Sequence, residues 1–142
     1  MIYTPLTKKA LKLCFEAHKD QTDKSGMPYV FHPFHLAEQM DDEISTVCAL
    51  LHDVIEDTSL TPNDLQQMGF PQEVLNVLAL LTHDESVPYM EYVKSIGKHP
   101  IAKKVKIADL LHNSDSSRLD SVDEKAMKRN KKYQEALRIL NQ

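Results

Sequence analysis

Four ionisable side chains lie within a short part of the chain that is otherwise rich in valine, isoleucine and leucine. Residues 51–58 read LHDVIEDT, and the four side chains are His52, Asp53, Glu56 and Asp57. On a helix they form two pairs, each with members four positions apart, on neighbouring stripes of the surface. A histidine beside a carboxylate is costly to bury in such a segment unless a partner satisfies both. A metal ion bound by His52 and Asp53 would be such a partner, with the two later carboxylates beside a metal-bound water.

The alternative for this segment is a polar edge that faces solvent. His52 and Glu56 would then form an ordinary hydrogen-bonded pair one helical turn apart. The density of charge argues against this alternative, because four ionisable groups occupy the six positions of residues 52–57. We therefore treat the segment as a candidate catalytic centre.

A second unusual histidine lies in an aromatic, proline-containing segment. Residues 28–33 read PYVFHP, and the pattern predicts a helix that begins at Pro33 with His32 as its N-cap. Histidine is not a preferred N-cap, since serine, threonine, aspartate and asparagine are favoured there. We therefore interpret His32 as a ligand. His35, one turn later, is a competitor for this role, although such a histidine more often has a structural function.

A third cluster surrounds a carboxylate in residues 105–113, which read VKIADLLHN. Asp109 follows isoleucine and alanine and precedes two leucines, so its burial would also need a partner. Lys106, one turn earlier, is one candidate partner, and a metal ion is the other. Asn113 lies one turn later on the same face. Two histidines and two carboxylates from the three clusters form an N₂O₂ set that suits Mn²⁺, Fe²⁺ or Zn²⁺ better than Ca²⁺.

Helix-initiating signals recur along the chain, while alternating strand-like patterns are scarce. The predicted helices begin at Thr4-Pro5, Pro33, Ser45 or Thr46, Thr61-Pro62, Pro71, Pro88, Pro100 and a capping box formed by Ser121 and Glu124. The second and third are expected to end near Asp42 and Asp57. The third is apolar nearly all round, which predicts a central, buried position. The sequence therefore predicts a single all-α domain of seven or eight helices over residues 1–142.

The composition excludes several classes of protein. The chain has 17 basic and 21 acidic side chains, and its net charge of −4 disfavours a general nucleic-acid-binding surface. No apolar run approaches the ~20 residues that a membrane span requires. The first residues, MIYTPLTKKA, lack an export-signal pattern, and Cys14 and Cys48 lack a metal-binding or redox spacing. We therefore expect a cytoplasmic protein with reduced thiols.

Charge is distributed unevenly along the chain. Residues 1–97 contain 6 basic and 15 acidic side chains, whereas residues 98–142 contain 11 basic and 6 acidic side chains. One interpretation is an acidic part that binds a metal and a basic tail that faces phosphate groups. The other is two solvated helix faces of opposite charge.

Three segments, in this order and spacing, carry a resemblance to a known family. They are residues 24–33 (KSGMPYVFHP), residues 49–58 (ALLHDVIEDT) and residues 106–113 (KIADLLHN). The chain resembles the HD-domain metal-dependent phosphohydrolases, in particular the hydrolase domain of RelA/SpoT-type proteins and the small alarmone hydrolases. The resemblance implies an all-α HD-domain helical bundle. It also implies removal of the 3′-pyrophosphate from guanosine tetra- or pentaphosphate.

The resemblance further implies one divalent cation, usually Mn²⁺, and roles for individual residues. The positions that match metal ligands are His32, His52, Asp53 and Asp109. The positions that match the catalytic acidic pair, which positions or activates the attacking water, are Glu56 and Asp57. The positions that match the substrate-binding pocket are Lys24, Ser25, Tyr29 and Asn113. The implied partner is a small-molecule nucleotide, with no nucleic acid and no membrane, and the oligomeric state is not predicted.

Three positions depart from the pattern of the alarmone hydrolases. Asp23 replaces a common arginine that packs on the guanine base, Leu110 replaces another arginine, and residues 114–115 replace a hydrophobic residue followed by arginine. None of these positions belongs to the implied metal set. Two alternatives stay open: the same chemistry on another nucleotide or phosphorylated metabolite, and a non-catalytic helical module that binds a metal or nucleotide. The intact Glu56 and Asp57 argue against the second alternative.

Overall fold

Helices and turns make up the computed structural model, which describes all 142 residues of the chain. The α-helices are α1 (Pro5–His18), α2 (Phe31–Glu38), α3 (Glu43–Leu51), α4 (Val54–Asp57), α5 (Pro62–Gln67), α6 (Gln72–Leu81), α7 (Tyr89–Ile96), α8 (Pro100–Asn113) and α9 (Glu124–Leu140). A 3₁₀ turn at Ser116–Arg118 lies between α8 and α9. The β pairing consists of one isolated bridge between Thr22 and Pro28. The predicted all-α class is confirmed.

Several helices start where the sequence signals predict. Thr4 caps α1 by accepting a hydrogen bond from the Thr7 amide at 3.2 Å, and Pro5 is the first residue of the helix. Thr61 caps α5 in the same way, with the Asp64 amide as donor at 3.2 Å. Proline suits the first helical position because the amide hydrogen it lacks would have no partner there.

The predicted start of α2 is two residues too late. The helix begins at Phe31 and not at Pro33, so His32 lies in its first turn and is not an N-cap. A hydrogen bond of 2.9 Å from the His32 amide to the Tyr29 carbonyl already closes a turn before the helix. Proline is tolerated throughout the first turn of a helix, and it therefore does not mark a unique starting residue. The helix also ends at Glu38, earlier than predicted.

The third predicted helix is interrupted at His52 and Asp53. α3 ends at Leu51 and α4 begins at Val54, so His52 and Asp53 lie in the turn between them. Asp53 has φ −107° and ψ 1°, which is outside the helical range. A hydrogen bond of 2.9 Å from the Asp57 amide to the Asp53 carbonyl keeps these two residues one turn apart. This interruption raises the number of α-helices to nine.

Two predicted N-caps are wrong. α3 is capped by Asp42, whose carboxylate accepts a hydrogen bond from the Ser45 amide at 2.8 Å, and Ser45 lies inside the helix. α9 is capped by Asp123, which accepts from the Ala126 amide at 2.8 Å, and not by Ser121. In both cases an aspartate stands directly before the first helical residue, and aspartate is as good a cap as serine.

α3 lies at the centre of the hydrophobic core, as its apolar sequence predicts. Every residue from Ser45 to Leu51 is buried, and the helix contacts α1, α2, α6 and α8. The core contains 28 buried residues, and all nine α-helices contribute to it. None of the helices combines the length and the apolar character that a membrane crossing needs. Since His52 and Asp53 directly follow α3, the core determines where these two side chains lie.

Truncation of a core residue in α3 should destabilise the protein strongly. Leu50 is 0% exposed, and Leu50→Ala should lower the free energy of unfolding by about 2–5 kcal/mol, because it removes buried apolar contacts and leaves a cavity. Urea denaturation followed by circular dichroism measures this change. Leu111→Ala is the matched control, since Leu111 is 54% exposed. Equal losses in the two variants would contradict the central position of α3.

Candidate metal centre

Three packed elements bring the four predicted metal ligands together. His32 lies in α2, Asp109 lies in α8, and His52 and Asp53 lie in the turn after α3. Both α2 and α8 pack against α3. One nitrogen or carboxylate oxygen from each of the four residues lies within 4.8 Å of all the others, and only Asp53 among them is not fully buried. The predicted ligand set therefore forms one cluster.

His52 has one satisfied ring nitrogen and one that lacks a partner. Its Nδ1 donates a hydrogen bond to the carbonyl oxygen of Ala49, which is 2.7 Å away. Its Nε2 is buried without a hydrogen bond, although it lies 3.0 Å from Oδ2 of Asp53 and 3.4 Å from Oδ1 of Asp109. Burial would lower the pKa of His52, but the carboxylates of Asp53 and Asp109 raise it well above its usual value, so positive charge is favoured at this nitrogen. A divalent cation between the three groups would supply that charge in place of a proton.

Asp109 is held by three side chains. Nζ of Lys106 donates a hydrogen bond to Oδ2 at 3.0 Å, and Nδ2 of Asn113 donates one to Oδ1 at 3.0 Å. Oδ1 also lies 2.9 Å from Nε2 of His32. Burial would raise the pKa of Asp109, but the charge of Lys106 and the histidine contacts hold it well below its usual value. The carboxylate is therefore ionised, and Lys106 engages one oxygen while the other faces the cluster.

The four residues fit a divalent cation. One ligand atom from each of the four residues lies within 4.8 Å of all the others, so the four could surround a single cation with bonds of about 2.1 Å after small side-chain adjustments. Two imidazole nitrogens and two carboxylate oxygens suit first-row divalent metals. The buried Nε2 of His52 is the observation that decides the fit, since it accepts or donates no hydrogen bond and lies between two carboxylates, where a positive charge is needed.

A second histidine orients the ring of His32. Nδ1 of His112 lies 2.7 Å from Nδ1 of His32, and the two rings are stacked. Burial and the neighbouring His32 and Arg118 lower the pKa of His112 to about 4, so its ring is neutral and can accept a hydrogen bond. Such a contact typically fixes the orientation of a ligating imidazole. The ring of His35 contacts that of His112 in a tilted arrangement, with ring centroids 4.2 Å apart, and His35 is not part of the cluster.

The predicted catalytic carboxylates lie on α4, within one turn after the cluster. Glu56 and Asp57 both reach solvent. The Glu56 carboxylate accepts a hydrogen bond from the backbone amide of His83, which connects it to the loop before α7. Partial burial raises the pKa of both carboxylates, and the charge of Asp53 raises it further. A carboxylate with a raised pKa is a stronger base.

A cavity of about 330 Å³ opens beside the cluster and is lined in part by His32. All the residues predicted to bind substrate line it, namely Lys24, Ser25, Tyr29 and Asn113. The Tyr29 hydroxyl donates a hydrogen bond to Oδ2 of Asp53, and Asn113 donates one to Asp109. Two cavity residues therefore contact the cluster directly, and the cavity and the cluster form one continuous site.

Part of the cavity wall comes from residues that the sequence patterns did not single out. They are Thr22, Arg118, Leu119, Arg129, Asn130 and Tyr133. Arg129 and Tyr133 are four positions apart and therefore share one face of α9. This spacing, together with the basic character of the tail, is the feature of the sequence that indicates a shared face of these two residues. The basic tail thus contributes two arginines to the cavity wall.

The chain has curated relatives with a named activity, although no family model matches it. It is 33% identical over 121 residues to the guanosine-3′,5′-bis(diphosphate) 3′-pyrophosphohydrolase MESH1 of Xenopus tropicalis, a match that covers 76% of this chain and 67% of that protein. It is 32% identical over 123 residues to the protein of the same name from Danio rerio, which covers 78% and 68% of the two chains. The chain belongs to this family of pyrophosphohydrolases. The predicted resemblance is confirmed.

A solved structure of a metazoan ortholog of SpoT that hydrolyses ppGpp has the same fold as this member of the MESH1 family. The TM-score is 0.81, the match covers 99% of this chain and 88% of that chain, and the sequence identity is 22%. The likeness confirms the predicted HD-domain helical bundle.

The departures from the family pattern have different structural consequences in this MESH1 relative. Leu110 is fully buried in the core, so its side chain does not face the cavity. Asp115 caps the 3₁₀ turn by accepting a hydrogen bond from the Ser117 amide at 3.0 Å. Asp23 accepts a hydrogen bond from the Ser25 amide at 2.8 Å. Asp23 and Asp115 line the cavity, and none of the three changes the metal cluster.

Removal of a cluster ligand should abolish metal binding. In His52→Ala and in Asp109→Ala, isothermal titration with Mn²⁺ should show no stoichiometric site, because only three of the four donors are left. Mn²⁺ should also raise the melting temperature of the wild-type protein and not that of the variants, since a ligand that binds only the folded state stabilises it.

His99→Asn is the matched control for this measurement. His99 caps α8 at a distance from the cluster, and asparagine is also a good cap. This variant should bind Mn²⁺ like the wild type. Full metal occupancy in His52→Ala or Asp109→Ala, with the fold verified by circular dichroism, would contradict the ligand set.

Proposed function

We propose that this protein removes the 3′-pyrophosphate of guanosine 3′,5′-bis(diphosphate) and that the reaction needs one divalent cation. The preferred cation in this proposal is Mn²⁺. The observation that carries the proposal is the direct connection between a buried two-histidine, two-carboxylate cluster and a cavity with cationic side chains. Membership in a family of pyrophosphohydrolases supports the same substrate. His32, His52, Asp53 and Asp109 would hold the cation.

A divalent cation at this position supplies Lewis acidity, which polarises a phosphoryl oxygen and makes a nearby water easier to deprotonate. The protein's own side chains perform the other tasks. Glu56 is the proposed proton acceptor for the attacking water, because its pKa is raised and its carboxylate is held by the His83 amide. Asp57, one position later on the same helix, is the proposed partner that orients the water.

Cationic side chains without carboxylate partners suit the phosphate groups of the substrate. Lys24 and Arg129 line the cavity, and neither forms a salt bridge. Partial burial and the nearby charges of Arg129 and Lys132 lower the pKa of Lys24, because positive charges are crowded here. A bound polyphosphate would relieve this repulsion and accept charge-assisted hydrogen bonds.

Tyr29 and Asn113 have positioning roles in the proposed site. Each touches a cluster carboxylate, Asp53 and Asp109 respectively, and each also lines the cavity. They therefore hold the ligand carboxylates in place on the side from which the substrate arrives. Ser25 is anchored by its Oγ, which donates a hydrogen bond to the carbonyl oxygen of Arg118 at 2.7 Å. This contact fixes the loop that carries Lys24.

Incubation of the purified protein with Mn²⁺ and guanosine tetraphosphate tests the proposal. Chromatography should detect guanosine diphosphate and pyrophosphate in equal amounts, and a chelator should stop their formation. Turnover only of another nucleotide or phosphorylated metabolite would contradict the proposed substrate and favour the same chemistry on a different compound. A protein that binds the metal stoichiometrically and turns over no phosphate compound would be a non-catalytic module.

Loss of the proposed base should separate catalysis from metal binding. Glu56→Ala should lower kcat by about 10²–10⁴-fold, the usual contribution of a positioned general base. It should retain Mn²⁺, because Glu56 is not part of the cluster. Glu16→Gln is the control, since that side chain is 64% exposed on α1. Unchanged turnover in Glu56→Ala would remove this residue from the mechanism.

A further inference from the structure

Arg118 is an arginine of the cavity wall whose charge is already compensated. Its Nη1 donates a hydrogen bond to the carbonyl oxygen of His112 at 2.8 Å. Its Nη2 lies 3.6 Å from Oδ2 of Asp23, and the side chain is 26% exposed. The residue belongs to the 3₁₀ turn between α8 and α9 and lines the same cavity as the proposed phosphate-binding residues.

Both carboxylate oxygens of Asp23 have contacts within the protein. Its Oδ1 accepts hydrogen bonds from the amides of Ser25 at 2.8 Å and Met27 at 3.0 Å, and these bonds shape the loop before α2. Its Oδ2 faces Arg118. Oδ2 accepts no hydrogen bond, and its interaction with the guanidinium is that of an ion pair at 3.6 Å. Its effect on the cavity is to hold the guanidinium in place.

The cationic residues of the cavity thus fall into two kinds. Lys24 and Arg129 have no carboxylate partner and offer uncompensated charge to an anion. Arg118 has a carboxylate and a carbonyl at its edge and offers little net charge. The N–H groups of a guanidinium lie in its plane, so partners at the edge leave the flat faces available. Leu119, the next residue, adds apolar surface at this part of the cavity.

We propose that a face of the Arg118 guanidinium, held by Asp23, is the stacking surface for the nucleobase of the substrate. A flat, largely neutralised cation next to an apolar side chain favours an aromatic ring over a phosphate group, because arginine stacks well on aromatic faces. A phosphate at this position would meet the Asp23 carboxylate. The inference rests on the proposed function in that it assigns the base-binding part of the same site.

The test compares the binding of guanosine diphosphate with that of inorganic pyrophosphate, which has no base. Both are titrated calorimetrically into the Mn²⁺-loaded protein. Arg118→Leu keeps the bulk of the side chain and removes its plane, and Arg118→Lys keeps the charge opposite Asp23. Both variants should weaken guanosine diphosphate binding by about tenfold, the usual range for one stacked base, and leave pyrophosphate binding within about twofold.

Arg138→Leu is the matched control, since Arg138 lies on α9 away from this cavity and is exposed. It should bind both compounds like the wild type. Binding of uridine diphosphate, whose base is smaller, should depend less on Arg118 than binding of guanosine diphosphate. This difference between bases is a readout that a merely structural role of Arg118 in the loop would not produce.

Three outcomes would overturn the inference. Equal weakening of pyrophosphate and guanosine diphosphate would make Arg118 a phosphate-binding residue. Wild-type affinity for guanosine diphosphate in Arg118→Lys would mean that charge alone matters. A wild-type protein that binds guanosine diphosphate no better than pyrophosphate would have no base-binding surface.

The proposed function and this inference fail in different ways. Arg118-dependent binding of guanosine diphosphate without hydrolysis of guanosine tetraphosphate would contradict the proposed reaction and support the stacking role. Hydrolysis of guanosine tetraphosphate by a protein whose nucleotide binding is independent of Arg118 would support the reaction and overturn the stacking role.

Discussion

The buried carboxylate of Asp109 imposes the constraint on which the rest of the site depends. An ionised carboxylate that is shielded from water needs positive or hydrogen-bonding partners on every side. Lys106 and Asn113 meet part of this need from the same helix, and His32 meets another part from α2. Nε2 of His52, which lies 3.4 Å from Oδ1 of Asp109, is left without a hydrogen-bond partner. The chemistry of the protein is proposed to occur at this unsatisfied position.

The core makes this arrangement rigid. α3 is buried along its length, and both α2 and α8 pack against it, so the elements that carry the ligands cannot move independently. Lys106 is itself fixed, because its ammonium lies 5.4 Å from the ring centroid of Tyr92, and burial of its charge is offset by Asp109. A metal site built in this way is preorganised, which reduces the entropy lost when a cation or a substrate binds.

The sequence predicts the fold class and the cluster better than the boundaries and the cavity. The four ligands were visible because polar residues such as Asp109 stand out within apolar segments. The interruption after Leu51 is not predicted, since residues 51–54 contain no glycine or proline that would mark it. Arg129 is not singled out by the sequence because, on a helix as polar as α9, a residue that lines a cavity has the same pattern as one on a solvated face.

Two different stretches of the chain supply the metal ligands and part of the cavity wall. The cluster uses residues between His32 and Asp109, whereas Arg118, Arg129 and Tyr133 all follow α8. Substitutions after α8 can therefore alter the shape of the cavity while the ligand geometry stays intact. During evolution, a chain with this organisation can acquire a new substrate without rebuilding its hydrolytic centre. Relatives that share all four ligands need not share a substrate.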